Sequence, residues 1–207
     1  MKRANFAPPL LAALLSCAAL AHRPMFNPGS NSRAAAYTVA EPDVSQVITA
    51  RARKGTQDWY TLKVPAGFAL NIAVFVGARC SDAYRPQLWL LGPGLSEPGS
   101  RPAFLPAGVG AVSVPRTYAP YSGHGVTARK GQTLARTLEG GTYTLVVDHG
   151  AADGWYFLYL AGKELGGGTA EGREGLRQFG GASEINTHKF HLKICFLYKN
   201  NLTIVNI

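Results

Sequence analysis

Asp148 and His149 stand side by side in the chain. A carboxylate next to an imidazole is the pairing that general acid–base and nucleophilic chemistry draws on. With Ser122 or Ser183 they would complete a hydrolytic Ser–His–Asp set. Such a set is defined by geometry, and no G-x-S-x-G nucleophile elbow accompanies it. The local reading is that Asp148 and His149 are hairpin-loop residues. Asp148 and Asp153 flank that loop and are candidate calcium ligands with backbone carbonyls, although the regular spacing of a calcium loop is missing. His188-x2-His191-x3-Cys195 offers soft ligands at short spacing. A structural zinc normally takes four ligands, no fourth is evident, and a strand would spread these three over different faces. The expectation is therefore no catalytic residue, no metal site and no cofactor.

Aromatic rings offer a second chemistry, since sugars are often recognised by rings laid against their apolar faces. Trp59, Trp89, Trp155 and Tyr156 fall within strand patterns, where packing is the expected role. Tyr118 and Tyr121 fall in the stretch Thr117 to Gly125, TYAPYSGHG, which reads as an aromatic-bearing loop that also carries His124. Tyr118, Tyr121 and His124 are the candidate ligand-binding residues. A hydrolase of unrecognised type using His124, Asp148 or His149 is the alternative. A ligand-free structural protein is a third reading.

The elements that must position these residues are strands. Tyr143, Leu145 and Val147 alternate with Thr142, Thr144 and Val146. Glu139-Gly140-Gly141 turns the chain before them and His149 to Gly154 after them. Trp155, Phe157 and Tyr159 then share one face, and Tyr156, Leu158 and Leu160 the other, the pattern of a strand covered on both sides. Upstream, Tyr37 to Ala40 and Ser45 to Ala50 are the first strand candidates. Asp58 to Val64 places Tyr60, Leu62 and Val64 on one face, and Pro65-Ala66-Gly67 supplies a turn. Phe68, Leu70, Ile72, Val74 and Val76 alternate without a break. Pro86 to Leu91 and Gly110 to Val114 follow, separated by a Pro-, Gly- and Ser-rich loop from Leu95 to Pro106. Short strands at this spacing, with no convincing amphipathic helix, predict an all-β antiparallel β-sandwich or jelly roll over residues 37–162.

The ends read differently. Lys2 and Arg3, an apolar run from Phe6 to Ala21 and an A-x-A site at Ala19-Leu20-Ala21 make residues 1–21 a secretory signal peptide, with His22 next. The run is short for a bilayer span and is interrupted by Pro8-Pro9. The expected location is secreted or extracytoplasmic. Leu14-Leu15-Ser16-Cys17 resembles a lipobox, so membrane attachment through a lipidated Cys17 is an alternative, as is an organelle lumen with cleavage near Ala34-Ala35-Ala36. Residues 22–36, with Pro24, Pro28 and Gly29, read as a flexible lead-in. Residues 163–207 read as an irregular tail. Its last twenty or so residues shift to Lys, Asn, Ile and Phe, which fits either a frameshift or read-through product or a genuine last strand, FHLKICFLY. Asn201-Leu202-Thr203 is a glycosylation sequon if that tail is real. Cys80 and Cys195 would suit a disulfide in an exported protein, but the preferred reading is two unrelated thiols. The formal net charge is +9, yet only Arg51-Ala52-Arg53-Lys54 and Arg129-Lys130 cluster, both in apparent turns, and no nucleic-acid partner is expected.

Two phrases carry a family resemblance. DWYTLKVPAGFALNIAVFV (Asp58 to Val76) and TLEGGTYTLVVDHGAADGWYFLYL (Thr137 to Leu160) resemble the pre-peptidase C-terminal type of β-sandwich domain. That pattern joins a W-Y-x-[FL]-x-[VL]-x-A-G strand pair to a late L-x-x-G-T-Y-x-L-x-V hairpin. LWLLGPGL (Leu88 to Leu95) looks like an uncharacterised exported branch of the same scaffold. The resemblance covers roughly residues 40 to 162 and implies a fold with no catalytic residues. It implies an accessory module of secreted enzymes or a free-standing exported protein of unknown role. The aromatic loop makes a glycan or a cell-surface protein the expected partner. No protease or hydrolase domain accompanies the pattern here.

Overall fold

A computed structural model of the chain describes residues 22–30 and 32–181. Two sheets face each other across an apolar core. The first holds β1 (Arg23–Asn27), β3 (Gln46–Ala52), β12 (Gly154–Leu160), β5 (Phe68–Gly77), β9 (Val126–Gly131) and β8 (Tyr118–Gly123) in that order, with β10 (Leu134–Leu138) also paired to β5. The second runs β2 (Tyr37–Val39), β4 (Gln57–Val64), β11 (Gly141–Asp148), β6 (Gln87–Leu91) and β7 (Ala111–Ser113). The architecture is the expected all-β sandwich. The expected pairing needs one correction: β1 runs parallel to β3 and β2 parallel to β4, so both sheets are mixed at one edge.

Alternation along each strand builds the core. Tyr60 and Leu62 of β4, Leu145 and Val147 of β11 and Leu88 and Leu90 of β6 turn inward from one sheet. Ile48, Val74, Tyr156 and Leu158 meet them from the other. Both outer faces are also partly covered. Trp59, Trp89 and Val146 lie in register on the outside of the second sheet, where Phe104 stands edge-on to both tryptophans at 6.5 Å and Leu105 is buried with them. The long loop after β6 is thus a packed cover, held by Arg101, whose guanidinium donates to Val109 O (2.9 Å) and to Pro106 O.

The outside of the first sheet carries Phe75 stacked on Phe157 at 4.6 Å. Phe179, from helix α1 (Ala170–Gly181), stands on Phe157 at 4.7 Å. This helix is a second correction, because no helix was expected. It opens on Thr169, whose Oγ1 accepts from Gly172 N at 2.9 Å, an N-cap bond. A side chain at Gly172 would strike Pro24 O, and one at Gly175 would strike Thr49 Oγ1. The glycines that weaken the helix signal in sequence are what let it lie against β1 and β3.

The lead-in is corrected likewise. Residues 22–36 hold β1 and a 3-10 turn at Arg33–Ala35. Asn27 and Ser30 are buried: Asn27 Oδ1 accepts from Ser30 Oγ (2.9 Å) and Gly29 N (2.9 Å), and Ser30 O accepts from Trp59 N (2.7 Å). Polar residues that look like linker composition are internal hydrogen-bonding groups here. No helix among the described residues is long and apolar enough to cross a membrane.

Candidate functional site

One end of the core holds an ionisable cluster. Asp58 sits on β4 with the same parity as Tyr60, so it points inward. His149 follows β11, and its Nε2 lies 3.1 Å from Asp58 Oδ2. Tyr156 of β12 donates to the same carboxylate oxygen at 2.6 Å, and Tyr60 lies 2.7 Å from the Tyr156 hydroxyl. Tyr84, from the loop between β5 and β6, lies 3.4 Å from His149 Nδ1. One proton arrangement satisfies the set: Tyr60 donates to Tyr156, Tyr156 and His149 Nε2–H donate to Asp58, and Tyr84 donates to Nδ1. Ser30 N adds a bond to Asp58 Oδ1 at 3.3 Å. Asp58 and His149 are each 1% exposed. Burial pushes the Tyr60, Tyr84 and Tyr156 hydroxyls well above their ordinary pKa, with the Asp58 charge adding to the shift at each.

This cluster shows where the apparent acid–base pair goes. Asp148 and His149 are neighbours in sequence but face different ways. Asp148 pairs with Arg116 and accepts from Gln57 Nε2 at 3.1 Å. His149 turns inward to Asp58. Ser122 is exposed on β8 in the first sheet, and Ser183 lies outside the described residues. Asp153 accepts from Lys54 N at 2.7 Å and so closes the β3–β4 turn. Among the described residues no three or more His, Cys, Asp or Glu side chains are grouped as metal ligands. His188, His191, Cys195 and the sequon at Asn201 lie outside the described residues. Cys80 is disulfide-bonded, against the expectation of an unrelated thiol; Cys17 and Cys195 also lie outside the described residues.

The stretch read as an aromatic loop is instead a hairpin, β8 and β9 joined at His124-Gly125. Both turn residues have positive φ, +50° at His124 and +72° at Gly125, as a two-residue type I′ turn requires. Strand alternation then separates the two tyrosines. Tyr118 turns inward, its hydroxyl donating to Pro86 O at 2.8 Å, and burial raises its pKa. Tyr121 lies on the outer face, half-buried, edge-on to Phe75 at 5.0 Å. His124 is exposed at the turn, and its ring stands 5.9 Å from that of His22. His22 in turn lies edge-on to Tyr159 at 5.3 Å, with Nδ1 2.7 Å from Ser45 Oγ. A rim of Tyr121, His124, His22 and Tyr159 therefore runs along the outer face of the first sheet, and Lys130 stands 5.7 Å over Phe75 beside it.

Of the three predicted ligand residues, Tyr121 and His124 share this rim and Tyr118 does not. His22 and Tyr159 were missed as members. Asp58 was missed in the buried cluster, although its parity with Tyr60, Leu62 and Val64 already placed a carboxylate on the core face. Two members of the basic clusters are partnered: Arg51 stands 4.8 Å over Trp155, and Arg129 pairs with Asp82 at 3.2 Å. Both Arg51 and Arg129 lie in strands, not in turns.

These observations define an all-β sandwich with a sealed polar cluster inside and an aromatic–histidine rim outside. No protein-family model matches the chain, and no curated protein matches it. Solved structures do resemble it. One is the pre-peptidase C-terminal domain of a collagenase from Bacillus anthracis, at 16% identity and a TM-score of 0.36, covering 65% of this chain and 98% of that one. Another is CorA, described as a surface-associated copper-binding protein important in Methylomicrobium album BG8 copper acquisition. It matches at 12% identity and a TM-score of 0.31, covering 61% of this chain and 96% of that one. The first is the kind of domain that the strand phrases resemble.

Proposed function

We propose that the chain is an exported, non-catalytic β-sandwich module that binds a glycan at the cell surface through the Tyr121–His124–His22–Tyr159 rim. The observation that carries the reading is the placement of the rings: Tyr121, His22 and Tyr159 are half-buried and His124 is exposed, on one face of one sheet. Rings fixed by packing yet open on one side suit the apolar face of a sugar, because little side-chain entropy is lost on contact. The imidazole at His149 supports the same reading, since its partners are core groups. Export is supported by the leader pattern of residues 1–21.

The test is retention on insoluble polysaccharides, with peptidoglycan, chitin and cellulose as probes. The expected result is retention on at least one of them, and a loss of about tenfold or more in Tyr121→Ala, the size of a contact costing over about 1.4 kcal/mol. A thermal melt of the variant separates lost contact from lost fold. No retention on any of the three, or equal retention by a folded Tyr121→Ala protein, removes the reading.

A further inference from the structure

His22 holds two positions at once. In sequence it follows the A-x-A site, so removal of the leader there leaves it as the first residue. In the fold its ring faces that of His124 from another strand pair, 5.9 Å away and inclined at 73°. We propose that the processed chain carries a Cu(II) site formed by the free α-amine and Nδ1 of His22 together with the imidazole of His124. The proposal rests on the export reading, in that leader removal must free the His22 amine.

Three lines of chemistry meet here. First, an amine and an Nδ1 on one residue close a six-membered chelate ring around a metal ion, so an N-terminal histidine supplies two nitrogens at once. Second, the spacing fits. A metal held about 2 Å from each ring nitrogen stands about 3 Å from each ring centre. Two rings sharing it across opposite sides are then separated by about 6 Å, by the same bond lengths. The amine would occupy a position between them, giving three nitrogens in a plane. Planar and tetragonal nitrogen sites select Cu(II), which also heads the affinity order of the divalent first-row metals. Third, both rings are held close together by their neighbours, and only the bond from His22 Nδ1 to Ser45 must be exchanged for the metal. Tyr159 stands edge-on to His22, and Ser45 Oγ holds Nδ1. Ser45 Oγ also lies 3.2 Å from Leu160 O, so its hydroxyl keeps a partner when a metal displaces it from Nδ1. His124 is the one non-glycine residue at positive φ among those described, and from that turn its ring comes within 5.9 Å of the ring of His22, just before β1.

The experiment uses the full gene with its own leader, expressed in an exporting bacterial host. The exported protein is stripped of metal, weighed intact and titrated with Cu(II) against a competing chelator. The variants are His124→Asn and His22→Gln. Asparagine suits the left-handed turn position, so the first variant keeps the hairpin while removing the imidazole. The expected results are a mass that begins at His22 and one Cu(II) per chain. The paramagnetic resonance spectrum should be tetragonal with nitrogen couplings. Each variant should lose at least the roughly 10–100-fold in affinity that removing even a supporting group costs a metal site. A mature end other than His22 overturns the proposal, because the His22 amine is then not free. A mature end at His22 with unchanged Cu(II) affinity in His124→Asn overturns the site itself. Because mass and titration are separate readouts, the two failures are distinguishable, and polysaccharide retention by the parent protein tests the glycan reading separately.

Discussion

Asp58 shows how one residue type, placed by strand parity, reorganises its surroundings. A carboxylate on the core face of β4 is tolerated because Tyr156, His149 and Ser30 N all donate to it. Removing it strands those donors in a dry interior. Asp58→Ala should therefore destabilise the protein by more than about 3 kcal/mol, because each stranded donor costs about 1–3 kcal/mol. Tyr156→Phe removes one donor and leaves the carboxylate with others. It should cost about 1–3 kcal/mol, the range for a lost bond to a charged group. Chemical denaturation of both variants checks the ordering. An Asp58→Ala protein as stable as Tyr156→Phe would mean that the carboxylate is not the centre of the cluster.

Helix α1 shows the same logic in an element. Its sequence carries Gly172, Gly175 and Gly180 within Ala170–Gly181, each a poor helix former. The compensation is contact: glycine at 172 and 175 lets the helix backbone close on Pro24 and Thr49, and Phe179 then reaches Phe157. Phe179→Ala should cost about 3–5 kcal/mol, the usual loss for a fully buried ring. Gly175→Leu should detach the helix, because its side chain meets Thr49 and Phe26. Limited proteolysis reads the difference. Cleavage within 164–181 should appear early in Gly175→Leu and late in the parent protein. Equal cleavage in both would mean that the helix does not depend on close approach. The β8–β9 hairpin is the complementary case: Pro120, Gly123 and Gly125 look like loop composition, yet edge pairing with β9 makes the segment a strand.

At the scale of the whole molecule, the two sheets are joined by the polar cluster as well as by the core. Tyr60 comes from one sheet and Tyr156 from the other, so their 2.7 Å contact spans the sandwich. The hydroxyls of Tyr60, Tyr84 and Tyr156 have folded pKa values above the ordinary value near 10. An acid whose pKa is raised on folding holds a proton that the unfolded chain releases. The associated stability is complete below about pH 10 and declines as pH rises above it. Alkaline titration should show part of the tyrosinate absorbance of the nine tyrosines appearing only together with loss of near-ultraviolet circular dichroism. Ionisation of all nine near pH 10 with the fold intact would contradict the buried cluster.

The sequence by itself determined most strands of the sandwich, though not β1, β8 or β9, and the packing role of Trp59, Trp89 and Trp155. Period-two alternation, turn glycines and the Pro65-Ala66-Gly67 turn are local signals, and burial follows from them without knowledge of partners. It also placed Asp58 on an inward face, had that parity been followed past Tyr60. Only the tertiary structure decided that the lead-in supplies a parallel edge strand, that a glycine-rich segment is a helix, and that His149 pairs with Asp58 and not with Asp148. It alone brought His22 beside His124, residues 102 positions apart (124 − 22). The physical reason is common to all four: each depends on which distant surface the segment meets, and the sheet order β1-β3-β12-β5-β9-β8 that sets those meetings comes from non-local pairing, which no local pattern encodes.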